Sequence, residues 1–116
     1  MTTIMFIRHT VSNYKTWRKA YDDFAPVQKA KGLRAQAVYQ AADNPNDITV
    51  THDFATVEAA QAFAKSEELK KAMQNAGVVG APTIWFTSRD TVMLTASTYR
   101  SLATAADLGH PISGPR

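Results

Sequence analysis

Residues 3–11, TIMFIRHTV, alternate in the manner of a strand, with Ile4 and Phe6 on one side and Met5, Ile7 and Val11 on the other. Ser12-Asn13 offers a side-chain cap, and Tyr14, Trp17, Tyr21 and Phe24 follow at helical spacing. Lys15, Arg18, Lys19, Asp22 and Asp23 fill the opposite stripe. Pro26 cannot continue a helix interior, so the pattern predicts a break near Phe24-Ala25 and a short second turn over 26–31, ended by Gly32. Leu33 to Ala42 reads as a second strand, DNPND (43–47) as turn chemistry, and Ile48 to Phe54 as a third strand with Ile48, Val50, His52 and Phe54 on one parity. Thr56 caps a helix with Val57, Ala60, Phe63 and Ala64 on one face. Ser66-Glu67-Glu68 starts another, carried by Leu69, Ala72, Met73 and Ala76 and ended by Gly77. Residues 83–88 form the fourth strand after GVVGAP.

The order β-α-β-β-α-β predicts an α+β, ferredoxin-like sandwich, with helices on one face of a four-stranded antiparallel sheet. Its other face needs cover, and a second copy of the chain is the simplest one. Residues 1–90 are expected to be this domain, and 91–116 a C-terminal arm, partly ordered, that packs on a partner or caps a pocket.

Composition narrows the function without naming it. The 116 residues suit one domain, and 45% hydrophobic residues are enough for a core. The absence of cysteine excludes disulfides, thiolate catalysis and cysteine-held metal. The N-terminal residues lack a signal-peptide pattern, and no run approaches a membrane span, so a cytoplasmic protein with no membrane partner is expected. The net charge of +3 comes from dispersed lysines and arginines, which argues against nucleic acid. No Gly-x-Ser-x-Gly elbow and no phosphate-cradling glycine loop occurs.

The segments IRHTVSNYKTWRKAYDDF, DNPND, FATVEAAQAFAKSEELKKAMQNAGV and PTIWF resemble the dimeric α/β-barrel proteins of the antibiotic-biosynthesis monooxygenase-like superfamily, over roughly residues 3–88. The resemblance implies a homodimer whose two sheets form a barrel, with a ligand cleft between each sheet and its own helices. Activities of the superfamily include cofactor-free oxidation of polyphenols, polyketide cyclisation, lactone isomerisation and haem degradation. The positions used by haem-degrading members carry Arg8, Phe63 and Met73 here, so none of that set is retained.

Side chains alternate, so Arg8 and His9 point to opposite faces. The resemblance puts Arg8, with Ile4 and Phe6, against the helices, where a guanidinium stabilises a phenolate or enolate; the bland alternative is a strand-end arginine paired with Asp22 or Asp23. His9 is then expected on the dimer side. His52, with apolar neighbours of its own parity, is either a satisfied core histidine or a neutral general base. His9 and His52 meet if strands one and three are neighbours, but no carboxylate completes a metal set, and Asp53 points away from His52. Trp17, Tyr21, Phe63, Met73 and Trp85 are the expected walls for a flat aromatic or polyketide-like ligand. The leading expectation is a cofactor-independent monooxygenase with His52 and Arg8 as catalytic groups. The alternatives are an isomerase or cyclase of the same superfamily, or a non-catalytic dimeric ligand-binding or stress-associated protein.

Overall fold

The computed structural model describes residues 1–93. In chain order the elements are β1 (Thr3–Val11), α1 (Tyr14–Asp23), α2 (Ala25–Ala30), β2 (Ala35–Ala41), β3 (Asn44–Phe54), α3 (Val57–Ala64), α4 (Glu67–Asn75) and β4 (Val78–Ser88). The four strands make one antiparallel sheet in the order β2-β3-β1-β4, the ferredoxin-like arrangement. The expected arm at 91–116 lies outside the described residues except for Thr91–Met93, which form no regular element.

The caps are local chemistry. Asn13, Thr56 and Ser66 each accept the backbone N–H three residues on, at 3.0, 3.1 and 3.2 Å. Pro26 stands in the first turn of α2, where its missing N–H costs nothing. Gly77 has φ 81°, and its carbonyl accepts the Ser12 N–H at 3.0 Å, joining the end of α4 to the end of β1.

Two strands differ from the sequence reading. β3 begins at Asn44, inside the expected turn, and the reversal is confined to Ala42-Asp43. The pairing slips between Gln40 and Ala41, so Pro45 to Asp47 bulge from the β2 side while Asp47 still pairs with Thr10. β4 begins at Val78 rather than 83. Its ladder slips between Arg8 and Thr10, near Gly80 at φ 74°, so GVVGAP is bulged strand and not linker.

The helices bury the β1 face made by Met5, Ile7, His9 and Val11. Met5 and Ile7 pack with Phe54, Phe63 and Leu69, and Val11 with Trp17, Ile48, Val50 and Ala76. Ile4, Phe6 and Arg8 therefore stand on the open face, the reverse of the assignment drawn from the resemblance. Both pairings agree, since residues directly opposite in a ladder share a face. Met5 lies opposite His52 and Phe86, whereas Phe6 lies opposite Thr51 and Trp85.

Candidate functional site

Between the helix-side face of the sheet and the helices α1, α2 and α4 lies an apolar cavity of about 30 Å³. Its walls include Ile7, Trp17, Phe24, Val50, Leu69 and Met73, and its polar groups come from His9, Tyr21, Gln28 and His52. Tyr14, Trp17 and Tyr21, brought to one stripe by helical spacing, stack in sequence along α1, with centroids 6.0 and 4.8 Å apart.

His52 is 1% exposed and seated edge-on to Phe63, 5.6 Å between centroids. Its Nε2 lies 2.8 Å from the Tyr21 hydroxyl. That hydroxyl also donates to Gln36 Oε1, at the exposed edge of the sheet. Tyr21 has one proton to give. When that proton goes to Gln36, the bond to His52 takes its proton from Nε2–H and Nδ1 keeps the lone pair. Nδ1 is buried and has no partner among the described residues. Burial lowers the His52 pKa to about 4, so the imidazole is neutral at pH 7. Burial also pushes the Tyr21 hydroxyl up to about 12, against the opposing pull of the Gln28 amide and the Arg18 guanidinium, so it stays a phenol.

His9 and Gln28 complete the polar lining. His9 is 7% exposed, meets Trp17 edge-on at 5.7 Å, and has neither ring nitrogen partnered among the described residues. Burial lowers its pKa, with the Asp47 charge pulling the other way. Gln28 is 1% exposed, and both atoms of its amide are likewise unpartnered.

The sequence-derived candidates divide between the two faces. Trp17, Tyr21, Met73 and His52 line the cavity, and Phe63 packs behind His52. Arg8 does not reach the cavity: it stands on the open face and grips Asp47 through two bonds of 3.1 and 2.8 Å, while Asp22 and Asp23 pair with Arg18 and Lys19. Trp85 is on the open face too, stacked on Phe6 at 5.0 Å. His9, expected at the dimer side, faces the helices. Strands β1 and β3 are neighbours, yet His9 pairs with Ile48 and His52 with Met5. The two histidines are thus four residues apart along the ladder, about 13 Å at the strand rise, and share the cavity without meeting. Asp53 points away from His52, as alternation requires, and pairs with Arg89 at 3.0 Å. No group of three potential metal ligands occurs among the described residues.

Gln28 and Gln36 were not singled out by sequence. For His9 a signal existed: Met5-Ile7-His9-Val11 is more apolar than Ile4-Phe6-Arg8-Thr10, and the more apolar side belongs under the helices. Gln28, in a six-residue helix between Val27 and Lys29, has no periodicity to mark it.

Fold and cavity together define a class: a ferredoxin-like α+β domain that keeps an apolar, imidazole-bearing cavity between its sheet and helices. The sequence model of the antibiotic biosynthesis monooxygenase family matches residues 2–75, and the chain belongs to that family. No curated protein matches the sequence. Among solved structures, a Bordetella bronchiseptica protein assigned to the antibiotic biosynthesis monooxygenases is similar with TM-score 0.67 and 14% identity, over 78% of this chain and 98% of the other. SnoaB, a cofactor-independent oxygenase from Streptomyces nogalater, is similar with TM-score 0.62 and 13% identity, over 78% and 96%. NE2512, a protein of unknown function from Nitrosomonas europaea, gives 0.64 and 19%, over 82% and 95%. At these identities the structural likeness speaks for the fold.

Proposed function

We propose that this chain is a cofactor-independent monooxygenase of electron-rich phenols, with His52 as general base. The observation that carries the reading is the divided environment of His52, a lining residue of the cavity with Nε2 anchored by Tyr21 and Nδ1 buried and unpartnered among the described residues. The family and the oxygenase SnoaB among the structural neighbours support the reaction class. Family membership alone fits an isomerase or cyclase using the same base on an enolate, so oxygen uptake is the deciding property.

In the proposed reaction, Nδ1 takes the phenolic proton. The anion passes electrons to dioxygen, and a C–O bond forms at a ring carbon para to the phenolate oxygen. The His52 imidazolium returns its proton to the peroxide, and the O–O bond breaks as that carbon loses its C–H proton. A phenol plus O₂ becomes a quinone plus water, with dioxygen as the sole oxidant. A base held near pKa 4 is weak towards a phenol, so transfer depends on the imidazolium and phenolate forming as a pair in one dry cavity, where each offsets the desolvation of the other. Arg8, on the far side of the sheet, has no part in this step.

The cavity of about 30 Å³ has room for one water-sized molecule, well short of the ~150 Å³ that binds a benzene ring. Substrate therefore enters by parting α1 and α2 from α4. The same closure favours one competing reading, a non-catalytic protein whose cavity is filled by its own side chains. Oxygen uptake with a panel of quinols and naphthalenediols separates them. The wild type should consume oxygen with kcat/KM about 10²- to 10⁴-fold above His52→Ala. Equal uptake by the two proteins overturns the assignment of the base, and no uptake with any compound favours the binding reading.

The reading includes a homodimer. Phe6, Trp85 and Tyr39 lie on the open face, with Trp85 39% and Tyr39 57% exposed. A second sheet would cover this apolar surface. The expected ligand remains a small aromatic or polyketide-like compound, and the reaction as written needs no cofactor.

A further inference from the structure

We propose that Gln28 is a specificity-determining residue of the cavity, selecting ligands that present a hydrogen-bond donor beside an acceptor on one edge, as adjacent ring hydroxyls do. The inference rests on the reading of the cavity as a ligand site.

The case begins with what the chain places there. Gln28 is 1% exposed, as buried as Phe63, and it lines the cavity with Tyr21, Phe24, His52, Leu69 and Met73. Its Oε1 and Nε2 are both buried and unpartnered among the described residues. The amide acts on the Tyr21 hydroxyl as a hydrogen-bonding neighbour that lowers its pKa, but the contact falls short of the geometry of a formed hydrogen bond. A buried amide with neither atom paired is worse for folding than an apolar side chain of the same length. Methionine would fill this space without that cost. The amide is therefore a feature that folding alone does not favour, which points to a partner from outside the chain.

The chemistry of that partner follows from the amide. A primary amide presents an acceptor and a donor side by side in one plane. It is neutral, so it offers a charged ligand no ion pair. Its complement is an uncharged edge with the reverse pair: one hydroxyl donates to Oε1 while its neighbour accepts from Nε2–H. A lone hydroxyl reaches both atoms only through two bent, weakened bonds. A water filling the 30 Å³ makes at most four hydrogen bonds and cannot also serve His9, which lies four residues along the ladder from the level of His52. His52 lines the same cavity, so an edge held by Gln28 is held in the cavity that carries the base.

The test compares two probes on three proteins, without oxygen so that nothing turns over. The dissociation constants of 2,3-dihydroxynaphthalene and 2-naphthol are measured by calorimetry for the wild type, Gln28→Met and Gln28→Leu. The wild type should prefer the diol by about 3- to 10-fold, the ratio expected for one further neutral hydrogen bond in a buried site. Both variants should bring the two compounds within about 2-fold of each other by weakening the diol, and at least one should melt no lower than the wild type. A diol preference that survives in the variants overturns the role of Gln28 while leaving the cavity a ligand site. Melting of both variants well below the wild type shows that the amide has a structural partner, and overturns the proposal from the other side. Failure of the wild type to bind either compound removes the cavity as a ligand site, and the proposal with it.

Discussion

His52 illustrates how far one side chain's position determines its chemistry. Parity in β3 already places it with Val50 and Phe54, so its burial is legible in the sequence. Its tautomer is not, because that depends on Tyr21 and Gln36, brought in from a helix and another strand. The pKa of about 4 gives two expected outcomes. The acid limb of kcat/KM should fall near pH 4, not near the ordinary value of 6.5, as a pH-rate profile will show. Stability should fall on the same side. The unfolded chain takes up the His52 proton at about 6.5 and the folded chain only at about 4, so stability is full above pH 6.5 and is lost progressively as pH falls towards 4. The loss is about 3 kcal/mol. Urea titrations at pH 7 and pH 4 should show it, and His52→Leu should lessen the difference. His9 shifts in the same direction, so part of the slope persists in that variant.

Elements were more legible than contacts because their signals are local. The Asn13, Thr56 and Ser66 caps, the break before Pro26 and the split between α3 and α4 all follow from side chains within a few residues. Strand starts were less so. Val78 and Asn44 are strand residues because a neighbouring strand pairs with them across a bulge, and Gly80 and Pro45 look like turn residues when read alone. The face of β1 was misread for a related reason: alternation divides residues into two sets, and only the packed helices decide which set is inside. Gly77 offers a direct test at this scale. A Cβ there would lie 2.7 Å from Ser12 Oγ on a backbone at φ 81°. Gly77→Ala should lower stability by about 1–3 kcal/mol in denaturant titrations, with Ser66→Ala costing about 1 kcal/mol.

At the scale of the molecule the two faces of the sheet divide the work. One carries helices and the cavity with His9, Gln28 and His52; the other carries Phe6, Trp85 and Tyr39 and the Arg8–Asp47 and Arg89–Asp53 pairs. If a second copy covers the open face, sedimentation at micromolar concentration should give a dimer. Trp85→Asp should shift it to monomer while leaving helix content unchanged by circular dichroism. None of the described helices is long and apolar enough to cross a membrane. The central claim is that His52 presents a free Nδ1 lone pair to a ligand in the cavity, and long-range proton–nitrogen correlation NMR of the labelled imidazole tests it most directly. At pH 7 the account predicts a neutral ring protonated at Nε2, with the Nδ1 resonance moving when 2,3-dihydroxynaphthalene is added without oxygen. A ring protonated at Nδ1, or an Nδ1 resonance indifferent to saturating ligand, would contradict it.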